Sequence, residues 1–137
     1  MSGSFVLDAS VALAWVFSDQ ADAGTQELLG ALTNHRARVP TLWWLEITNV
    51  LLKAEREGLL TSAETARFVS LLRRLPIDVD PSTPAQASLG VLSLGRSHGL
   101  SSYDAAYLDL ALRDGLPLAT RDKALQSAAE QLGVRLL

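Results

Sequence analysis

Four carboxylates occupy positions that an α/β fold could bring to one edge of its sheet. Asp8 ends the apolar run at residues 5–7, a pattern typical of a short strand buried on both faces. Asp104 falls in the first turn of a later helix, and Asp122 lies just beyond a short apolar strand. Glu46 lies in the first half of the long helix that follows the second strand. Because open α/β sheets bind ligands at the carboxyl ends of their strands, we expect the four side chains to converge there.

Each acid alone has an ordinary structural explanation. Asp8 or Ser10 could cap the first helix, and acids in a first helical turn gain ~0.3–1 kcal/mol from the helix dipole. A cluster is different, because two carboxylates about 4 Å apart repel by ~4 kcal/mol at an effective dielectric constant of about 20. Four such groups together are costly unless a cation lies among them.

The available donor atoms indicate which cation this would be. The chain has no cysteine, and neither His35, near a helix end, nor His98, before a glycine, is assigned to the site. Ligand sets made only of oxygen favour Mg²⁺ or Mn²⁺ over zinc. A cation held by carboxylates at an open crevice can activate water and neutralise a phosphoryl oxygen, which is the chemistry of metal-assisted phosphodiester hydrolysis.

Asp109 is assigned outside this cluster. It lies five residues after Asp104, which places it about 140° further round the helix, and it can pair with Arg113 one turn later. We therefore expect its carboxylate to be solvated.

Composition limits the class of protein. A chain of 137 residues with 48% hydrophobic residues suits one globular domain spanning residues 1–137. No apolar run is long enough to cross a bilayer and no signal peptide precedes the first strand, so we expect a cytoplasmic protein without membrane contact. The net charge of −3 counts moderately against nucleic-acid binding, although cations among clustered carboxylates would invert the local field.

Strand-like and helical segments alternate along the whole chain. Strands are predicted at residues 5–7, 37–40, 77–80, 116–119 and 134–137, and helices at 10–17, 21–34, 42–57, 61–75, 83–98, 103–113 and 121–132, with Asp19 in the break between the first two helices. Such alternation predicts right-handed βαβ units around a parallel sheet. The expected fold class is α/β, with a central parallel sheet of about four to five short strands flanked by about seven helices.

Four short motifs together resemble those of a known family. They are FVLDAS at residues 5–10, LEITNVL at 45–51, SYDAAYL at 102–108 and LATRDKAL at 118–125. In this order, and over nearly the whole chain, they look like a PIN domain, specifically a VapC-type ribonuclease toxin of a type II toxin–antitoxin system.

The resemblance implies an activity and a set of site residues. The activity would be an Mg²⁺- or Mn²⁺-dependent endoribonuclease that cleaves structured RNA such as tRNA or rRNA. Asp8 and Asp104 would be the principal metal ligands, and Glu46 and Asp122 would complete the catalytic site directly or through water. A second set of residues would support these four through hydrogen bonds to ligands or water: Ser10, Asn49 and Thr120.

The resemblance also implies protein partners. A VapB-like antitoxin would insert a C-terminal segment into a groove of the toxin and block the acidic site, and the toxin would form a homodimer. Large aromatic side chains of the early helices are the candidates for this groove, because such residues often anchor a bound peptide. They are Trp15, Phe17, Trp43 and Trp44.

Two other function classes remain open at this point. One is an aspartyl-phosphate domain of the receiver or phosphatase type, in which Asp8 would be phosphorylated. A phosphatase of that type would have a second aspartate at position 10, where this chain has Ser10. The other is a binding module without catalytic activity, against which the four intact acids argue.

Overall fold

A four-stranded parallel sheet forms the centre of the computed structural model, which describes residues 3–17 and 21–137. The strands are β1 (Ser4–Leu7), β2 (Arg36–Val39), β3 (Ile77–Val79) and β4 (Leu118–Ala119), in the spatial order β3-β2-β1-β4. Each neighbouring pair is parallel. The chain builds the sheet from β1 towards β3 and then returns to place β4 on the other side of β1. The strand order therefore reverses between β1 and β4, where open α/β sheets form a ligand-binding crevice.

Seven helices connect these strands within the described part of the chain. They are α1 (Ala9–Ala14), α2 (Ala23–Ala31), α3 (Trp43–Arg56), α4 (Ser62–Arg74), α5 (Pro84–His98), α6 (Ser102–Asp114) and α7 (Lys123–Gln131). Their alternation with four parallel strands confirms the predicted α/β architecture.

Local capping chemistry explains where several helices begin and end. The Thr61 hydroxyl accepts a hydrogen bond from the Glu64 backbone N–H at 3.1 Å, and the Glu64 carboxylate accepts one from Thr61 N–H at 3.0 Å. This is the reciprocal capping box that the sequence indicates for α4. Gly99 and Gly115 end α5 and α6 with φ angles of 64° and 62°, a left-handed conformation that costs other residues more than glycine.

Several element boundaries differ from the predicted ones. Helix α1 ends at Ala14 rather than residue 17, and the predicted break at Asp19 lies outside the described residues. The C-terminal segment forms a single parallel bridge, Leu118 with Leu136, rather than a full strand. Because β4 is only two residues long, it offers too few backbone groups for a longer ladder.

The core lies on both faces of the sheet and includes one residue that the sequence interpretation placed elsewhere. Val6 and Leu7 of β1 are fully buried, as a strand covered on both faces requires. Trp43 is also 0% exposed, so its prediction as a residue of an open antitoxin groove is wrong. Its indole forms an edge-to-face contact with Trp44 at 5.0 Å between ring centroids. None of the helices in the described ranges combines the length and apolar character that a membrane-spanning helix needs.

Asp109 is buried, which corrects the prediction that it is solvated. Its side chain pairs with Arg113 Nε at 2.8 Å, as expected, but the residue is only 8% exposed. The reason is the packing of α5 onto α6 at Gly90, where a β-carbon would lie 2.4 Å from Asp109 Oδ1. Arg113 also binds Asp80 at 2.9 Å, so the buried carboxylates share one guanidinium.

Candidate metal centre

Asp8 lies at the carboxyl end of β1 and is held by two hydroxyl groups. The residue is 6% exposed, and its backbone N–H donates to Ala119 O of β4 at 2.9 Å. Its Oδ2 atom accepts hydrogen bonds from Ser10 Oγ at 2.9 Å and Thr120 Oγ1 at 2.5 Å. The carboxylate is therefore fixed at the point where the strand order reverses.

Both hydroxyls also accept hydrogen bonds from the backbone that follows β4. Ser10 Oγ accepts from Arg121 N–H at 3.1 Å, and Thr120 Oγ1 accepts from Asp122 N–H at 3.0 Å. Each hydroxyl thus connects a backbone N–H to the Asp8 carboxylate. Ser10 and Thr120 therefore fix the orientation of the Asp8 carboxylate.

Glu46 reaches the same region from α3 through a contact with α6. Its Oε1 atom accepts a short hydrogen bond from the hydroxyl of Tyr107, which is 0% exposed. The same hydroxyl lies 3.4 Å from the backbone N–H of Ala9, the residue after Asp8. Tyr107 therefore joins α3 and α6 to the segment that follows β1.

Asp104 and Asp122 lie at the starts of α6 and α7. Asp104 is in the first turn of α6, whose N-cap is Ser101, and Asp122 is the N-cap of α7. One oxygen of Asp122, Oδ1, accepts a hydrogen bond from Leu125 N–H at 2.9 Å. Both side chains are partly exposed, so this side of the cluster is open to solvent.

Charge repulsion links the four carboxylates, although burial has the larger effect on the pKa of Asp8, Glu46 and Asp104. Burial raises the pKa of Asp8, and the charge of Asp122 raises it further. Burial likewise raises the pKa of Glu46, with repulsion from Asp8 and Asp104. The pKa of Asp104 is raised first by burial and then by Asp122 and Asp8. Each carboxylate thus lies within electrostatic range of at least two of the others.

Tyr107 remains a proton donor in this environment. Burial raises the pKa of its phenol far above the ordinary value, and the charges of Asp8 and Glu46 raise it further. The neutral hydroxyl therefore persists throughout the neutral range and donates to Glu46.

The four side chains offer carboxylate oxygens, which are the ligands that hard divalent cations prefer. In the structure, however, these oxygens do not surround one position at which an ion could bind. The ion pairs recorded within residues 3–17 and 21–137 join arginines to Asp78, Asp80, Asp109 and Asp114, which all lie outside the set of four site carboxylates. However, no three Asp, Glu or His side chains in residues 3–17 and 21–137 are close enough to hold one ion together. A cation shared by three carboxylates would therefore require at least one of them to change position on binding.

The remaining predicted residues have recorded contacts or exposure of their own, and none of the hydrogen bonds recorded within the described ranges joins them to the four carboxylates. Asn49 is exposed on α3, one turn after Glu46. Trp15 Nε1 donates to Thr25 O at 2.7 Å, and Phe17 is half-buried beyond the end of α1. Trp44 lines a small hollow of about 320 Å³ on the α3–α4 side of the molecule. These three aromatic side chains are partly exposed, unlike Trp43.

Tyr107 is the site residue that the sequence interpretation missed. It lies within the motif SYDAAYL, but the sequence interpretation assigned only Asp104 of this motif to the site. The available signal was helical spacing, because residue 107 follows Asp104 by three positions and shares its helix face.

The family model of the PIN domain matches residues 5–131 of the sequence. The chain belongs to the PIN domain family. Members of this family are in general nucleases and generally use divalent metal ions. The match includes all four motifs that resemble this family, so the family predicted from them is confirmed. A comparison with curated protein sequences gives no match.

Solved structures of similar fold support this assignment of the PIN domain. PAE2754 from Pyrobaculum aerophilum has 25% sequence identity and a TM-score of 0.70, over 93% of this chain and 87% of that chain. VapBC2 from Rickettsia felis, bound to a DNA fragment from its promoter, has 14% identity and a TM-score of 0.68, over 98% and 97%. FitAcB from Neisseria gonorrhoeae has 19% identity and a TM-score of 0.59, over 97% and 96%.

Proposed function

We propose that this PIN domain is the toxin of a type II, VapBC-like toxin–antitoxin system. Its activity would be Mg²⁺- or Mn²⁺-dependent endonucleolytic cleavage of structured RNA such as tRNA or rRNA. The observation that carries the proposal is the mutual charge repulsion that links Asp8, Glu46, Asp104 and Asp122, with Asp8 fixed at the point where the strand order reverses.

The chemistry follows from the arrangement of these carboxylates. Asp8 and Asp104 would be the principal metal ligands, with Glu46 and Asp122 completing the set directly or through water. A bound Mg²⁺ or Mn²⁺ would polarise a phosphoryl oxygen and lower the pKa of a water molecule. The chain itself would hold Asp8 in place through Ser10 and Thr120, and Asn49 would hydrogen-bond water or substrate at the exposed rim.

The proposed partner is a VapB-like antitoxin. Support comes from the similarity to VapBC2, which was solved with promoter DNA, and to a toxin–antitoxin complex from Klebsiella pneumoniae. An antitoxin segment would enter next to the acidic cluster, with Trp15, Phe17 and Trp44 as its aromatic contacts. We also propose a homodimer in the cytoplasm.

The first prediction tests RNA cleavage. Purified protein should cut a tRNA or rRNA mixture when Mg²⁺ or Mn²⁺ is present, and EDTA should stop the reaction. Asp8→Asn should reduce the cleavage rate at least ~100-fold, because it removes an oxygen ligand and its charge from the site. Cleavage products would be measured by gel electrophoresis.

Glu130→Gln is the matched control, because it neutralises an exposed acid on α7 away from the cluster and should cut RNA like the wild type. In cells, expression of the wild type should arrest growth and expression of Asp8→Asn should not. Cleavage that persists in EDTA, or in Asp8→Asn, would reject the proposed mechanism. RNA binding without cleavage would favour a binding module, and labelling of Asp8 by acetyl phosphate would favour an aspartyl-phosphate domain.

A further inference from the structure

Tyr107 is the one buried polar side chain at the cluster that the proposed chemistry does not use. Its ring lies in the core at 0% exposure, and its hydroxyl reaches the edge of the sheet where the carboxylates meet. There it donates to Glu46 Oε1 and lies 3.4 Å from the backbone N–H of Ala9. A phenylalanine would place the same aromatic ring in the core, so packing of the ring alone does not explain the hydroxyl.

The contact restrains the carboxylate that has the most freedom to move. Glu46 has a longer side chain than the three aspartates. It extends from α3, which follows β2, whereas Asp8 comes directly after β1. Among the described residues, Tyr107 provides the only hydrogen bond to the Glu46 carboxylate. This hydrogen bond therefore restrains the position of the Glu46 carboxylate.

The position of Tyr107 in α6 adds a second restraint. Tyr107 follows Asp104 by three residues, so its ring and the Asp104 carboxylate are carried by one helix face. A shift of α6 would therefore move Asp104 and the partner of Glu46 together. The hydrogen bond thus connects the Glu46 carboxylate of α3 to the helix that carries Asp104.

We propose that Tyr107 is a positioning residue that holds Glu46 for metal binding, through a hydrogen bond that persists when the ion is bound. This inference rests on the proposed function, because it assigns Glu46 to the metal site. Hydrogen bonds from the protein to metal-binding carboxylates orient them, and their loss typically weakens metal affinity by about 10–100-fold.

The test is the Mn²⁺ affinity of Tyr107→Phe, measured by isothermal titration calorimetry without RNA. The substitution keeps the buried ring and removes only the hydroxyl, so affinity should fall by about tenfold. Tyr103→Phe is the matched control: it makes the same change on the same helix at a residue that is 62% exposed, and it should bind Mn²⁺ like the wild type.

A double-mutant cycle tests the route of the effect. If Tyr107 acts through Glu46, then Tyr107→Phe should change Mn²⁺ affinity by less than about twofold in a Glu46→Gln background. Additive losses would overturn the proposal, and so would wild-type affinity in Tyr107→Phe. Absence of Mn²⁺ binding by the wild type would instead reject the proposed function itself.

A second measurement covers the case in which Tyr107→Phe does not fold. The chain has two tyrosines, so 3-fluorotyrosine labelling gives two fluorine resonances, which Tyr103→Phe assigns. Addition of Mg²⁺ should shift the Tyr107 resonance, because a cation bound to Glu46 withdraws electron density from the oxygen that accepts the Tyr107 hydrogen bond. An unchanged Tyr107 resonance under saturating Mg²⁺ would overturn the proposal.

Discussion

At the scale of single residues, the hydroxyl groups around Asp8 matter as much as the carboxylates. Thr120 is 6% exposed, and its hydroxyl both donates to Asp8 and accepts from Asp122 N–H. Loss of such a group leaves buried partners without a hydrogen bond, which costs about 1–3 kcal/mol. A residue that looks like an ordinary strand-end threonine thus stabilises the charged centre.

The second prediction concerns this threonine. Thr120→Val keeps the shape of the side chain and removes the hydroxyl, so the free energy of unfolding should fall by about 1–3 kcal/mol. Thr120→Ser keeps the hydroxyl and should lose less. The measurement is urea denaturation of both variants and the wild type. Equal stability of the valine and serine variants would show that the hydroxyl contributes nothing.

At the scale of secondary-structure elements, the close packing of α5 on α6 orients the helix that carries Asp104 and Tyr107. Gly90 of α5 lies directly against Asp109, whose carboxylate is held by Arg113. Because Arg113 also binds Asp80 after β3, this ion-pair network fastens α6 to the sheet. The small residue at position 90 allows the two helices to approach closely.

The third prediction tests this packing with two glycine-to-alanine substitutions. In Gly90→Ala, the new β-carbon would lie 2.4 Å from Asp109 Oδ1, so the ion pair or the helix must shift. We expect a loss of about 1–3 kcal/mol, which is typical of overpacking. Thermal unfolding followed by circular dichroism would measure it.

Gly30→Ala in α2 is the matched control, because a β-carbon there meets no atom within 4 Å. It should stabilise the protein by about 0.4–1 kcal/mol, since alanine restricts the unfolded chain. A gain of similar size in Gly90→Ala would contradict the packing argument.

At the scale of the whole molecule, the protein combines a stable parallel sheet with a charge cluster that opposes folding. The raised pKa of Asp8 means that its charged form is less favourable in the folded state than in the unfolded state. A cation bound among the carboxylates would reverse this penalty. The proposed metal site would therefore couple stability to metal binding through Asp8.

The fourth prediction follows from this coupling. Mg²⁺ at about 100 times its Kd should stabilise the wild type by about 2.7 kcal/mol, seen as a rise in melting temperature. Asp8→Asn should melt at a higher temperature than the wild type in EDTA, and Mg²⁺ should raise it no further. Sodium chloride at equal ionic strength separates ion binding from screening. An equal Mg²⁺-induced rise in wild type and Asp8→Asn would reject the site.

The sequence predicted the fold well because the relevant signals are local. Apolar runs, the Thr61 capping box and the glycines at 99 and 115 mark element boundaries without reference to the rest of the chain. The expectation that the acids converge rests on strand order, since carboxyl ends of parallel strands share an edge.

The remaining features depend on packing between distant elements. Trp43 and Trp44 are neighbours in sequence, yet only the fold decides that Trp43 faces the core. Burial of Asp109 requires a glycine on another helix, and the contact of Tyr107 with Glu46 spans 61 positions. Periodicity within one helix contains none of this information.

The two edges of the sheet have a consequence for how the protein behaves at high concentration. At one edge, β4 has two residues and the C-terminal segment hydrogen-bonds to it through Leu118 and Leu137. At the other, β3 has three residues, and Asp78 there pairs with Arg36 of the neighbouring strand. Short, covered or charged edges give foreign strands little to extend, which disfavours fibril growth. We therefore expect refolding from denaturant to remain reversible, without amyloid-like deposits.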